Sequence, residues 1–305
     1  MVDVKEIKSI ELVPFTLMTS SIGAILALIY AIILLITLGV LAAVIPTAGL
    51  IFASLGISMI VLYPIGTFLV YITISFVTAL IYNMLVPRLG GIKLGLEGDE
   101  VRSVPVVSFA LIMAGVAAVW AFIIGLVLAA LIVPVTTLVS TIIPLVSSIA
   151  ANATNLTPAT LPTGSVVGTG GVVIAVLLII ALPILVFVFG FIGHALAAIF
   201  YNYIIPRVGG VKLLFAPAGT NHEITSIPVV AASLALASVA VIFGIIYGII
   251  GLINGLAAGN ASMGVGSLIG NIIGSFIGTF IMVALITIFY NFLAPRIGGV
   301  QLGLE

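Results

Sequence analysis

The polar residues best suited to chemistry recur in this chain three times at one spacing. The motif reads Tyr-Asn, three residues, Pro-Arg, one residue, Gly-Gly, and it begins at Tyr82, Tyr201 and Tyr290. Its amide and guanidinium groups donate hydrogen bonds and can hold an anion. One hypothesis is therefore a ring that binds an anion or a lipid headgroup, made of Asn83, Arg88, Asn202, Arg207, Asn291 and Arg296.

The same motif also has a structural interpretation, which we favour. Pro is expected where a helix ends, and Arg at a helix C-terminus complements the helix dipole and reaches lipid headgroups. Gly-Gly supplies the positive φ angles of a sharp reversal. In this interpretation Tyr lies in the interfacial aromatic belt and Asn caps the carbonyls at the helix end.

Other reactive groups are sparse. The chain has no Cys, and no group of His, Asp or Glu has the spacing of metal ligands. No Ser or Thr stands near a plausible base, so we predict no enzymatic activity, no catalytic or metal-binding residues and no cofactor. The candidate polar residue inside a membrane span is His194, which either marks function or is a hydrogen-bonded interior side chain.

The distribution of charge predicts an integral membrane protein. Charged residues make up 5% of the chain, against about 25% in soluble domains, and all fall within residues 3–11, 88–102, 207–223 and 296–305. The apolar stretches between them predict six transmembrane helices, at about 14–45, 50–86, 105–133, 170–205, 228–253 and 266–294. These spans contain no Asp, Glu, Lys or Arg, which argues against ion-coupled transport. Zero net charge argues against nucleic acid as a partner.

An internal repeat organises the chain. Over thirteen positions from each motif Tyr, seven are identical in all three copies. A weaker signature, which starts at Glu6, Glu100 and Glu223, opens each unit. The repeats are residues 1–97, 98–216 and 217–305, each with two spans, and the second has a long outer loop over 134–170. An even number of spans makes the copies parallel, so we predict an all-α bundle about a pseudo-threefold axis.

Alternating segments after each Gly-Gly predict short strands. Residues 92–97 and 100–104 would form a β-ribbon, and residues 211–227 would form a second one with a longer loop. The unpaired strands are those at the two ends of the chain, residues 2–10 and 300–305. We predict that these ends pair, which leaves three small β-ribbons on one face.

The side of the membrane follows from the basic residues. All eight Lys and Arg lie on the face that bears the termini, which predicts a cell membrane protein with both termini cytoplasmic. The three Asn-X-Ser/Thr sequons fall in the predicted outer loops, which makes Asn152, Asn155 and Asn260 candidate glycosylation sites. Part of the long outer loop, residues 135–151, is predicted as an interfacial or re-entrant helix and the rest as irregular.

Glycine spacing predicts where helices five and six meet. Gly270, Gly274 and Gly278 lie four residues apart, as do Gly244 and Gly248. Each set therefore lies on one helix face and lets backbones approach closely.

Each unit resembles an uncharacterised two-helix transmembrane domain family of bacteria and archaea. The resemblance is carried by the Ser-containing strand before each helix pair and by the Tyr-Asn, Gly-Gly and hydrophobic tail after it. Family members commonly hold one copy, so the resemblance implies three tandem copies here and a bacterial or archaeal source. It implies no activity, and the Pro-Arg pair departs from the family pattern.

These observations predict a non-catalytic membrane protein, either a structural and assembly component or an accessory subunit of a membrane complex. Its expected partners are membrane lipid and a second copy or a larger membrane complex. The alternative is a passive pore or transporter for a small neutral solute along the pseudo-threefold axis, which the uncharged interior permits.

Overall fold

Six long helices make up most of the protein. The computed structural model describes residues 3–45, 47, 49–154 and 164–305. In that part of the chain six helices are long and apolar enough to cross a membrane, which is the architecture of a multi-pass membrane protein. They are α1 (Leu12–Val44), α2 (Gly49–Leu89), α3 (Val106–Thr154), α4 (Gly164–Val208), α5 (Val229–Ala257) and α6 (Ala261–Ile297).

Seven short strands form one curled antiparallel sheet. They are β1 (Asp3–Ile10), β2 (Ile92–Glu97), β3 (Glu100–Ser103), β4 (Val211–Lys212), β5 (Leu214–Ala218), β6 (Asn221–Ser226) and β7 (Gln301–Leu304). The strand order is β4-β3-β2-β1-β7-β6-β5. The outermost strands of this order, β4 and β5, are separated in the chain by Leu213 alone. The sheet therefore curls back until its two edges meet.

The two ends of the chain pair within this sheet, as predicted. Strand β1 pairs with β7, and the backbone N–H and carbonyl of Glu6 exchange hydrogen bonds with those of Glu305 at 2.6 and 3.0 Å. The three ribbons are not separate, however. The pairs β1·β2, β3·β4 and β6·β7 join them side by side. A lone ribbon leaves unpaired backbone groups along both edges, and joining satisfies them.

Two compact units divide the chain. One contains Met1–Ile112 and Ala195–Glu305, and it holds the whole sheet with both helical hairpins α1–α2 and α5–α6. The other is Met113–His194, where α3 packs closely on α4. A Cβ added at Gly125 would lie 2.2 Å from the carbonyl oxygen of Leu178.

The helices extend further than the sequence predicted. Helices α2, α4 and α6 continue two residues past Pro87, Pro206 and Pro295 before they end. Helix α3 runs unbroken through Pro134 and Pro144 to Thr154. The predicted outer loop over 134–170 is thus largely helical, and residues 155–163 lie outside the described part of the chain. A helix satisfies its own backbone hydrogen bonds, so an apolar segment that lacks water retains it despite a proline.

Glycines hold α5 against α6, but only one predicted set is involved. A Cβ at Gly244 would lie 2.6 Å from the carbonyl oxygen of Asn271, and one at Gly248 would lie 2.9 Å from Leu268 Cδ1. The prediction was wrong for Gly270, Gly274 and Gly278, where an added Cβ meets open space. Four-residue spacing puts these glycines on one face, but it does not say which face points to the neighbouring helix.

Buried side chains of the strands and helix ends form two apolar clusters. One contains Leu94, Leu96, Val101 and Ile205, and the other contains Met18, Ile224, Tyr290 and Leu302. Both are packed against Ile7, Leu213 and Phe215, so they are contiguous. The sheet and the helix ends beside it are thus joined by a packed apolar core.

Candidate functional site

The motif tyrosines bind the backbone of the sheet. The Tyr82 hydroxyl donates to the carbonyl oxygen of Ile7 at 2.7 Å and accepts from the N–H of Ile92 at 3.1 Å. Ile7 and Ile92 face each other across β1 and β2, so the hydroxyl bridges the last rung of that ladder. The predicted place in an interfacial belt was wrong, since Tyr82 is only 3% exposed.

The other two tyrosines repeat this geometry. Tyr201 donates to Val101 at 2.7 Å and accepts from Val211 at 3.2 Å. Tyr290 donates to Ile224 at 2.5 Å and accepts from Val300 at 3.0 Å. Each tyrosine thus ties the end of its helix to two strands.

Each motif asparagine binds both backbone groups of one residue that ends a strand or follows it directly. Asn83 Oδ1 accepts from the N–H of Ile10, and Asn83 Nδ2 donates to the carbonyl of Ile10, both at 2.8 Å. Asn202 and Asn291 hold Val104 and Ile227 in the same way at 2.7 to 2.8 Å. The predicted capping of helix carbonyls was wrong, because each amide ties the end of the second helix of a hairpin to the segment just before the first helix of the same hairpin.

A glutamate from the opening signature completes each cluster. Glu6 Oε1 accepts from the N–H of Gly91 at 2.7 Å, and Glu100 and Glu223 accept from Gly210 and Gly299 at 2.5 Å. We call each such set a junction. The three junctions are Glu6–Tyr82–Asn83–Gly91, Glu100–Tyr201–Asn202–Gly210 and Glu223–Tyr290–Asn291–Gly299.

The two glycines of each motif are needed for different reasons. The first has a positive φ, which is 80° at Gly90, 94° at Gly209 and 85° at Gly298. The second lies too close to a strand for any side chain. A Cβ at Gly91 would lie 2.0 Å from the Ile7 carbonyl oxygen. Sequence reasoning assigned the turn to both glycines and missed this close approach.

Ion pairs surround two of the junction glutamates. Lys8 Nζ lies 3.3 Å from Glu6 Oε1, and Arg102 Nη1 lies 3.2 Å from Glu100 Oε1. The Gly91 N–H lowers the pKa of Glu6, and Lys8 lowers it further. The third junction has Thr225 where the others have Lys8 and Arg102.

The motif arginines lie at the helix ends, exposed. Arg207 donates to the Tyr203 carbonyl, and its guanidinium carbon lies 4.1 Å from the Tyr203 ring centroid. Arg296 donates to the Phe292 carbonyl and lies 3.8 Å from the Phe292 ring centroid. Tyr203 and Phe292 each lie four residues before their arginine. The residue four positions before Arg88 is Met84, so Arg88 has no aromatic ring at that position. Anion or headgroup binding by these arginines and the junction asparagines stays a prediction.

The remaining predicted residues are scattered. His194 Nδ1 is 2.7 Å from the carbonyl oxygen of Gly190 on its own helix. Asn260 caps α6 and accepts from the N–H of Met263 at 3.0 Å. Asn152 lies in α3 rather than a loop, and Asn155 is outside the described residues. Glycosylation at all three sequons stays a prediction.

The junctions position helix ends against the sheet. Their hydroxyl, amide and carboxylate groups are hydrogen-bonded to backbone, and no three His, Asp or Glu side chains gather as metal ligands in the described ranges. The sequence already contained the signal that was missed. The opening glutamate and the closing Gly-Gly recur together three times, which is typical of a contact pair.

Comparisons of the chain with protein-family models, curated proteins and solved structures find no match. The resemblance to the two-helix domain family therefore stays a prediction.

Proposed function

We propose that this protein is a non-catalytic assembly component of a membrane complex, in which a sheet holds three helical hairpins and an outward helix face binds a neighbour. The observation that carries the proposal is the exposed face of α6. The arrangement as three parallel repeats about a pseudo-threefold axis is part of the proposal, and the sequence repeat and the equivalent junctions support it.

The exposed face of α6 has the shape of a helix-binding surface. Its glycines leave open space in the described structure and follow one another every four residues, at Gly266, Gly270, Gly274 and Gly278. Beside them runs a ridge of β-branched side chains, each about half exposed, at Val265, Ile269, Ile273 and Ile277. Helices in lipid associate by close packing at small residues, so this ridge and groove favour a protein neighbour over lipid alone.

The junctions support a structural role for the rest of the chain. Apart from the tyrosine hydroxyls' contacts with Ile92, Val211 and Val300, ten positions away, their side chains bind backbone atoms between 64 and 110 positions away in the sequence. A group used in this way holds helix ends in place and is not available to a substrate.

Extraction from native membranes in mild detergent tests the proposal. We expect the wild type to migrate as a complex larger than one chain, and Gly270→Leu with Gly274→Leu to release it by filling the groove. The matched control is Gly66→Leu in α2, where an added Cβ also meets open space. Equal complex size for the wild type and the α6 variant would contradict the proposal.

The alternative, a passive pore, is less well supported. The apolar clusters beside the sheet pack side chains from all seven strands, so a solute path through the sheet would have to displace them. Swelling of proteoliposomes in a neutral solute such as glycerol tests this alternative.

We also propose that the sheet and both termini face the cytoplasm of the cell. The eight Lys and Arg all belong to the strands or to the helix ends beside them, which supports this orientation. Because the chain has no Cys, Asp99→Cys and Gly259→Cys each provide a single thiol, one in the β2–β3 turn and one in the α5–α6 turn. In intact cells, a membrane-impermeant maleimide should label only the second.

A further inference from the structure

An apolar cavity lies between α1, α2 and α6, and it carries tyrosine hydroxyls. Its volume is about 460 Å³, within the range of about 300 to 1,000 Å³ of small-molecule sites. The wall is mostly aliphatic and includes Ile22, Leu26 and Ile286. Three tyrosines also line it, Tyr30, Tyr63 and Tyr71.

Within the described part of the chain, nothing hydrogen-bonds to these hydroxyls. Among the described residues, Tyr30, Tyr63 and Tyr71 have no hydrogen-bond partner, whereas Thr19 on the same wall donates to the Phe15 carbonyl at 2.7 Å. A hydroxyl within an apolar span loses hydrogen bonds to water, and that loss is unfavourable unless another acceptor replaces the water. The tyrosines are also 43 to 54% exposed, so the cavity is open to the outside of these helices.

Two of the three tyrosines, Tyr63 and Tyr71, are found in the first repeat alone, whereas Tyr30 has the counterpart Tyr247 in the third repeat. At the position of Tyr71 the other repeats have Gly190 and Thr279, and at the position of Tyr63 they have Leu182 and Asn271. A side chain that is present in one of three copies is not required by the architecture that all three share.

Gly23, another residue of the first repeat, makes room for the ring of Tyr71. A Cβ added at Gly23 would lie 3.1 Å from Cδ1 of Tyr71, so glycine lets the ring lie directly against α1. The other repeats have Ala117 and Ala240 in place of Gly23. The glycine and the tyrosine ring that it admits are thus found together.

We propose that this cavity binds one membrane lipid, whose chain fills the apolar space and whose headgroup or linkage oxygens accept hydrogen bonds from Tyr30, Tyr63 and Tyr71. The bilayer supplies molecules of this chemistry at high concentration beside the opening. Tyrosine offers a hydroxyl donor on an apolar ring, which suits an amphipathic ligand. The inference does not depend on the assembly proposal, because the Gly266–Gly278 groove does not line the cavity.

The test uses the full chain reconstituted in phosphatidylglycerol vesicles, extracted into mild detergent and analysed by native mass spectrometry. The triple variant Tyr30→Phe, Tyr63→Phe, Tyr71→Phe keeps the rings and removes the hydroxyls. We expect its retention of phosphatidylglycerol to fall about tenfold, as expected for the loss of hydrogen bonds worth about 1.4 kcal/mol in total. The matched control is Tyr247→Phe, since Tyr247 is 61% exposed and does not line the cavity.

A second variant distinguishes loss of the lipid site from a folding defect. Ile286→Phe narrows the cavity while it keeps every hydroxyl, and it should also lose the lipid. Thermal unfolding of each variant reports whether the fold is intact. The proposal is overturned if the wild type retains no phosphatidylglycerol, or if folded variants retain as much as the wild type.

Discussion

The hydroxyl of Tyr82 donates a hydrogen bond to the backbone carbonyl oxygen of Ile7, 75 positions earlier in the chain. That contact fastens the end of α2 to the first strand, and its counterparts at Tyr201 and Tyr290 do the same elsewhere in the sheet. The stability of the sheet should therefore depend on side chains that belong to helices.

Removing one of these hydroxyls should destabilise the protein. Tyr290→Phe leaves the buried Ile224 carbonyl and the Val300 N–H without their partner, so the free energy of unfolding should fall by about 1 to 3 kcal/mol. Denaturant unfolding in detergent measures this. Tyr203→Phe is the control, since Tyr203 is 62% exposed, and an equal loss in both variants would refute the assigned role.

Asparagine at the junction should not be replaceable by aspartate. Asn83→Asp loses the amide donor to the Ile10 carbonyl and should lower the free energy of unfolding by about 1 to 3 kcal/mol at neutral pH. Asn260→Asp makes the same chemical change at a helix N-cap, where only an acceptor is used and Asp serves equally well. If the two variants lose the same free energy of unfolding, the bidentate contact of Asn83 with Ile10 does not contribute to stability as described.

The second glycine of the motif should tolerate no side chain. Gly91→Ala puts a methyl group into the Ile7 carbonyl, which should cost about 3 kcal/mol or more of folding free energy. Gly66→Ala, in open space within α2, should be neutral or stabilising by up to about 1 kcal/mol. Thermal unfolding of the two variants separates these outcomes.

Acid should weaken the first junction. The hydrogen bond from Gly91 lowers the folded-state pKa of Glu6 below its ordinary value of 4.5, so ionised Glu6 favours the fold above that pH. The free energy of unfolding that ionised Glu6 contributes is lost as the pH falls through the lowered pKa of Glu6 in the folded state.

The wild type should therefore be more stable than Glu6→Gln at neutral pH, and the difference should shrink below about pH 4.5. Unfolding measured between neutral pH and pH 3 follows this difference. Asp3→Asn, at an exposed carboxylate, is the control. A difference that is constant with pH would show that Glu6 acts without its charge.

Much of the architecture could be predicted from the sequence, since lipid imposes simple rules. Charges confined to residues 3–11, 88–102, 207–223 and 296–305 marked the water boundary, and the apolar stretches between them became the six helices. The unpaired strands at the two ends predicted the pairing of β1 with β7. Proline was the weak signal, because Pro134 interrupts one hydrogen bond without ending α3.

The candidate site was predicted less well, because a repeated motif shows which residues matter but not what they contact. Tyr82 and Asn83 were singled out, but they were assigned to lipid and to their own helix instead of to Ile7 and Ile10. Gly270 was assigned to a helix contact, whereas Gly248 forms one. Residues that are distant in sequence come into contact only when the sheet curls, and no local sequence pattern shows which of them will meet.

The sequence by itself determined the six long apolar helices, the three occurrences of the motif and the pairing of the two end strands, since hydrophobicity and repetition are properties of the chain. The tertiary structure alone decided that the ribbons join into one sheet and that each Glu, Tyr, Asn and Gly set closes on a strand backbone. It also decided that a tyrosine-lined cavity opens between three helices. Those outcomes depend on which groups come within hydrogen-bonding distance after packing, and that distance is set by the fold as a whole.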